Sequence, residues 1–147
     1  MAYTIYLSGE THTDWRDQII QGIENNDLDI EVLGPITDLN ISENIGAEIL
    51  GPEENNFWRD HKSAKINALR NNHYLGQADL VVVRFGEKYK QWEAAFDAGL
   101  AIGMGIPIVV MHDPELTHAL KEIDATALAV TQDSLQVIEI LKYISQQ

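Results

Sequence analysis

Two kinds of hydrophobic pattern alternate along this chain. Segments Ala78–Phe85 (ADLVVVRF) and Ile106–Met111 (IPIVVM) are almost continuously apolar. Such runs are typical of strands that are buried on both faces, in a parallel sheet with helices on each side. Elsewhere apolar residues recur at helical spacing, as between Trp15 and Ile23, after a capping residue at Thr13 or Asp14. The pattern therefore predicts strands and helices in alternation.

Extended to the whole chain, the same reading predicts five strands, at Tyr3–Ser8, Asp29–Leu33, Ala78–Phe85, Ile106–Met111 and Ala127–Val130. Helices are predicted from about Thr13, at Arg59–Gly76 (Ile66, Leu69, Tyr74 and Leu75 inward), from about Gln91, at Glu115–Glu122 and at Gln132–Ile144. Residues 36–58 lack periodicity, so a long connection is expected there. We predict one α/β domain over residues 1–147, a three-layer, doubly wound, flavodoxin-like or Rossmann-like fold with a five-stranded parallel sheet of order 2-1-3-4-5.

The charge balance is strongly acidic, because 10 Lys and Arg stand against 23 Asp and Glu, a formal net charge of −13. A field of that sign repels nucleic-acid duplexes and anionic membrane surfaces, so neither is expected as a partner. The absence of cysteine removes disulfides and thiolate chemistry and suits a reducing compartment. With no signal-like N-terminal segment and no apolar run near ~18 residues, we expect a cytoplasmic protein.

Motifs for common cofactors are absent from the sequence. There is no GxGxxG or GxxxxGK[ST] pattern, and the five histidines show no HExxH or similar spacing. We therefore predict no cofactor and no metal ion.

The fold class selects the loops in which a ligand is expected. In a doubly wound sheet, ligands bind beyond the carboxyl ends of the strands, near the point where strand order reverses. That rule selects the loops Ser8–His12, Gly34–Thr37 and Phe85–Gln91. The residues predicted from these loops to bind substrate are Ser8, Gly9, Glu10, Phe85 and Gly86.

Two carboxylates lie in the helix that follows the last of these loops. Glu93 and Asp97 are one helical turn apart, and a like-charge pair at that spacing costs about 0.2–0.5 kcal/mol on an exposed surface. The helix macrodipole explains Glu93, near the N-terminus, better than Asp97, which lies among small and aliphatic residues. Asp97 is either a structural acid that accepts hydrogen bonds or a catalytic carboxylate beside a cleft, and spacing alone leaves both readings open.

Three segments together indicate a family. They are YLSG at 6–9, ADLVVVRF at 78–85 and AAFDAGLAIGMGIPIVV at 94–110. In this order and spacing the chain resembles the nucleoside 2-deoxyribosyltransferase superfamily over nearly its whole length, and with GEKYKQW at 86–92 it resembles the YtoQ-type branch. The resemblance implies a carboxylate that attacks the anomeric carbon of a nucleoside, expels the base and forms a glycosyl-enzyme intermediate.

The resemblance also implies roles for single residues. The family nucleophile falls on Asp97, where the family usually has Glu, with Glu93 as the reserve candidate and Tyr6 as the residue that orients the nucleophile. A shorter carboxylate matters, because about 1 Å of misplacement can cost about 100-fold in rate. Four further residues are candidates for substrate binding: Asn71 and Gln91, which fall at or near family Asp positions, and Trp15 and Trp92, which either stack on a base or pack a helix against the sheet.

Three functions remain open at this point. The first is a pentosyltransferase or N-glycosyl hydrolase that acts on a small nucleoside-like substrate, with water or a second base as acceptor. The second is a non-catalytic nucleoside or nucleotide sensor of the same fold, which the departures at Gln91 and Asp97 favour. The third is a protein–protein role. A homo-oligomer is expected from the resemblance.

Overall fold

A computed structural model describes residues 2–88 and 91–147, so positions 89 and 90 of the predicted loop Phe85–Gln91 lie outside the described residues. Five parallel strands form one sheet of order β2-β1-β3-β4-β5, which confirms the predicted fold class and strand order. The strands are β1 Tyr3–Gly9, β2 Ile30–Leu33, β3 Leu80–Arg84, β4 Ile108–Met111 and β5 Ala129–Thr131. The helices are α1 Trp15–Asn25, α2 Leu39–Ser42, α3 Ile45–Leu50, α4 Asn56–Gly76, α5 Trp92–Gly103, α6 Lys121–Thr126 and α7 Ser134–Ile144, with a 3₁₀ turn at Pro114–Leu116.

The sheet is covered on both faces because its strands are apolar on both faces. Alternate side chains of β1 point to opposite layers, as the two-residue period of a strand requires. Ile5 and Leu7 pack with residues of α1 and α7, such as Ile19 and Leu141. Tyr6 packs on the other side, in a cluster that includes the small residues of α5 and the C-terminal end of α4.

The structure corrects three details of the predicted elements. The connection 36–58 contains two short helices, α2 and α3, and α4 begins at Asn56 because the Asn55 side chain accepts a hydrogen bond from the Trp58 N–H at 3.1 Å. The helix predicted at Glu115–Glu122 is divided into the 3₁₀ turn and α6. The inward orientation predicted for Leu69 is wrong, since this side chain is 78% exposed. Only the last turns of α4 pack on the sheet core, so the earlier turns have no buried face there.

The ends of β1 and β3 meet at the point where the strand order reverses. Gly9 pairs with Arg84 there and has φ +121°, a conformation that L side chains rarely adopt. A Cβ at position 9 would lie 2.1 Å from the Arg84 carbonyl oxygen. This close approach of two backbones shapes the carboxyl edge of the sheet.

Candidate active site

A cleft of about 680 Å³ opens at the carboxyl edge of β1, between α4, α5 and the connection that follows β2. This is the location that the doubly wound topology predicts for a ligand. The volume falls in the range of small-molecule sites. Its lining residues come from three places: the loop after β1 (Gly9, Thr11), the connection after β2 (Pro35, Ile36, Leu39, Ser42, Glu43) and the two helices (Asn56, Arg59, Asp60, Ser63, Ala64, Asn67, Ala68, Asn71, Asn72, Glu93, Phe96, Asp97).

Asp97 is the buried carboxylate of this cleft. Small residues on the same helix, Ala94, Ala98 and Ala101, are buried against the sheet and allow α5 to lie close to it. Asp97 is 7% exposed, and its Oδ2 accepts a hydrogen bond from the Ser8 hydroxyl at 2.5 Å. The other carboxylate oxygen, Oδ1, accepts no hydrogen bond from the described part of the chain.

Burial raises the pKa of Asp97 to about 6, and the neighbouring charge of Glu93 adds to this. The hydrogen bond from Ser8 and the positive charge of Arg16 act in the opposite direction. Glu93 is exposed, lies in the first turn of α5 and lines the cleft. The two carboxylates therefore share the cleft but differ in environment, one desolvated and one hydrated.

Tyr6 lies near this pair without binding it. The side chain is fully buried, and its hydroxyl has no hydrogen-bond partner among residues 2–88 and 91–147. Burial raises the pKa of Tyr6, and the negative charges of Asp97 and Glu93 raise it further. The side chain that holds Asp97 in this structure is thus Ser8, which stood among the predicted substrate-binding residues.

Glu10 organises the loop between β1 and α1. Its carboxylate accepts hydrogen bonds from the His12 N–H at 2.7 Å, from the Thr13 N–H at 3.1 Å and from the Thr13 hydroxyl, and it pairs with Arg84 at 3.1 Å. Burial by itself raises the pKa of Glu10, but these hydrogen bonds outweigh it and hold the pKa below its usual range. The Glu10 carboxylate makes these contacts within the chain itself, and they order the loop between β1 and α1.

The other aromatic candidates lie away from the lining of the cleft. Trp15 is 2% exposed in the core, where its indole N–H donates to the Glu10 carbonyl at 2.8 Å. Phe85 is also buried in the core, beside the sheet. Trp92 is 74% exposed at the start of α5.

Gln91 and Gly86 are joined to each other rather than directed into the cleft. The Gly86 N–H donates to Gln91 Oε1 at 2.6 Å, and Gln91 Nε2 is buried without a partner in the described ranges. Of the twelve predicted residues, the structure thus brings four to the cleft lining, namely Gly9, Asn71, Glu93 and Asp97.

Sequence reasoning missed two groups of residues around the cleft. Arg16 donates hydrogen bonds to the carbonyls of Glu10 and Gly9 at 2.6 and 3.1 Å, and its positive charge acts to lower the pKa of Asp97. The second group is two polar residues of α4, Ser63 and Asn67, which lie in one row with the predicted residue Asn71. Their four-residue spacing was visible as a polar helical face, but nothing in it indicated that α4 forms a wall of the site.

Within the described residues, no helix is long and apolar enough to span a bilayer, and no three His, Cys, Asp or Glu side chains are grouped so as to bind a metal ion.

Comparisons with known proteins identify the family and the fold. Residues 6–145 match the family described as nucleoside 2-deoxyribosyltransferase YtoQ. The uncharacterized protein YtoQ of Bacillus subtilis (strain 168) is 38% identical over 144 residues, which cover 98% of this chain and 97% of the relative.

Solved structures show the same fold at low sequence identity. A conserved protein from Enterococcus faecalis V583 superimposes with a TM-score of 0.67 at 16% identity, covering 98% of this chain and 99% of that one. A 2-deoxyribosyltransferase from Bacillus psychrosaccharolyticus gives a TM-score of 0.55 at 16% identity, over 92% and 90% of the two chains.

Proposed function

The chain belongs to the nucleoside 2-deoxyribosyltransferase YtoQ family, and from this premise we propose that it cleaves the N-glycosidic bond of a nucleoside-like small molecule, with Asp97 as nucleophile. The sugar then passes to a second base or to water, so that the protein is a pentosyltransferase or an N-glycosyl hydrolase. The observation that supports this most strongly is the buried Asp97 carboxylate at the cleft wall. Ser8 donates a hydrogen bond to one of its oxygens, and Glu93 lies one helical turn away.

The proposed reaction has two displacement steps. In the first, Asp97 Oδ1 forms a bond to the anomeric carbon while the C–N bond breaks, and the electron pair leaves with the base, which takes up a proton from solvent or from Glu93. In the second, water or a second base attacks the same carbon, and the ester bond breaks to regenerate the Asp97 carboxylate. Glu93 accepts the proton of the attacking water or nitrogen. The sugar keeps its configuration after two inversions.

The environment of Asp97 suits a nucleophile. A pKa of about 6 leaves most of this carboxylate ionised at neutral pH, while desolvation makes the charged oxygen a stronger partner for a developing oxocarbenium ion. The Ser8 hydrogen bond fixes the carboxylate on one side and leaves Oδ1 for attack. Since Asp is shorter than Glu, we infer that the anomeric carbon must approach α5 more closely than a Glu nucleophile would require.

Intact-protein mass spectrometry tests this function. The protein is mixed with a panel of 2-deoxynucleosides, quenched by denaturation and weighed, and free base is measured in parallel. Wild-type protein is expected to gain one deoxyribosyl unit, and Asp97→Asn is expected to gain none and to release no base. Adduct or base release that persists in Asp97→Asn contradicts the assignment.

Two matched variants sharpen the result. Asp97→Glu restores the side chain usual in the superfamily and is expected to keep the adduct, whereas Glu93→Gln is expected to accumulate it because the second step loses its base. An adduct found on Glu93 in the Asp97→Asn protein would move the nucleophile to the reserve candidate.

The second candidate function is a nucleoside or nucleotide sensor of the same fold. It is favoured by Gln91, which is bonded to the Gly86 backbone and is not part of the cleft lining. Saturable binding of nucleosides without adduct and without released base would support this candidate. The homo-oligomer, the cytoplasmic location and the roles of Tyr6, Trp15, Trp92 and Phe85 toward a substrate remain predictions.

A further inference from the structure

The cleft continues well beyond the carboxylate pair, along the polar face of α4. From Asn71, near the Asp97 end, to Arg59 the helix rises by about 18 Å at 1.5 Å per residue. A base and one furanose ring together are shorter than this row. A substrate that fills the cleft therefore carries a further group beyond the nucleoside.

Arg59 lines the far end of the cleft and has no hydrogen-bond or ion-pair partner in the described part of the chain. Its Nε is buried and has no hydrogen-bond acceptor, and its guanidinium makes no hydrogen bond or ion pair within residues 2–88 and 91–147. A buried donor without an acceptor is unfavourable, so a polar group of a ligand is the natural partner for this one. A planar guanidinium that faces a cavity is suited to a carboxylate or phosphate, which it binds with two parallel hydrogen bonds.

Two carboxylates line the same end. Asp60 is the next residue on α4. Glu43 lies beside Ser63, one helical turn from Arg59, because the Glu43 carbonyl accepts a hydrogen bond from the Ser63 hydroxyl at 2.8 Å. Neither carboxylate makes a hydrogen bond or ion pair with another described residue. The far end thus presents one positive and two negative side chains, and a phosphate dianion there would face a net negative charge. A carboxylate beside an ammonium group complements all three charges.

We propose, on the basis of the function proposed above, that the substrate is a nucleoside conjugate that carries a zwitterionic, amino-acid-like group. Arg59 binds its carboxylate, and Asp60 and Glu43 bind its ammonium group. The nucleoside end lies against Asp97.

Isothermal titration calorimetry with three probes tests this specificity. The pair 5′-methylthioadenosine and S-adenosylhomocysteine shares a base, a sugar and a thioether and differs in the amino-acid group, and adenosine 5′-monophosphate supplies a dianion. Binding is measured on the wild-type protein and on Asp97→Asn, which removes the proposed nucleophile. We expect S-adenosylhomocysteine to bind about 10- to 100-fold more tightly than methylthioadenosine, the value of a charge-assisted hydrogen bond of ~1.5–3 kcal/mol.

Variants on α4 identify the origin of the preference. Arg59→Gln is expected to reduce the affinity ratio of the two thioethers to near one. Lys65→Gln removes the same charge from an exposed position of the same helix outside the cleft lining and is expected to keep the ratio. Circular dichroism verifies that both variants are folded.

Several outcomes overturn the proposal. They are equal affinities for the two thioethers, a preference that survives Arg59→Gln, tighter binding of the monophosphate, and no binding of either thioether. Because the titration needs no turnover, its failure is distinct from failure to form a glycosyl adduct. Adduct formation without a zwitterion preference would leave the proposed function standing and remove this inference alone.

Discussion

Replacing Asp97 by Asn is expected to stabilise the folded protein at neutral pH. The carboxylate is 7% exposed and has a pKa of about 6 in the folded state, against 3.8 for the free side chain. This difference corresponds to a free energy of unfolding that is about 3 kcal/mol lower when the group is ionised. Asn has nearly the same shape and can accept the hydrogen bond from Ser8 without a buried charge. A gain of about 1–3 kcal/mol in the free energy of unfolding is therefore expected above pH 7.

The sign of the pH dependence follows from the same pKa difference. Between about pH 3.8 and 6 the unfolded chain has lost the Asp97 proton while the folded protein has kept it, so wild-type stability falls as pH rises through this window. Above that window the loss is constant. The gain from Asp97→Asn should thus be small near pH 4, grow through the window and level off.

Urea denaturation followed by circular dichroism at pH 4, 5, 6, 7 and 8 measures this gain. Glu54→Gln is the control, because it removes one negative charge from an exposed loop position. It therefore reduces the overall charge repulsion of a protein with net charge −13 by the same amount. If Asp97→Asn destabilises the protein at pH 7, or gains no more than the control, Asp97 is a structural acid. In that case burial of the ionised Asp97 carboxylate does not destabilise the fold, and the expectation stated above is refuted.

Two further outcomes are expected. Ser8→Ala removes the hydrogen bond that opposes the raised pKa of Asp97; base release should fall about 10- to 100-fold, and the acid limb of its pH profile should move upward, whereas an unmoved limb would mean that Ser8 does not act through Asp97. Glu10→Gln should lower the free energy of unfolding by about 1.5–3 kcal/mol at pH 7, because a charged acceptor of several hydrogen bonds becomes a neutral amide. The pKa of Glu10 is lowered in the folded protein, so the wild-type contribution is present above the unfolded pKa and is lost as pH falls through the folded one; an unchanged urea midpoint at pH 7 would contradict this.

The fold was largely predictable because buried strands and helices have recognisable patterns of apolar residues in the sequence. Strands β3 and β4 are buried on both faces, and their uninterrupted apolar runs indicate a parallel sheet between two helical layers. Periodicity failed where an element packs on something other than the sheet, as α4 does on α3. Helix α4 extends past the sheet core, so Leu69 remains exposed although its spacing indicates an inward face.

The candidate site was predictable only in part. The family motif in α5 and the topology of the sheet located Asp97 and Glu93 on the cleft, and Gly9 beside them. The motif could not say which side chain holds the carboxylate. Tyr6 is the expected residue, yet the short side chain of Ser8 reaches Asp97 and the Tyr6 hydroxyl does not.

The sequence by itself determined the alternation of strands and helices, the acidic surface and the carboxylate pair, because each depends on residue type and on local spacing. The tertiary structure alone decided which distant groups meet. Glu10 is bound to Arg84, 74 positions away, and Ser8 to Asp97, 89 positions away. It also decided that the far wall of the cleft is the polar face of α4. These contacts depend on which strands are neighbours in the folded sheet. The desolvation that raises the pKa of Asp97 likewise exists only in the folded protein.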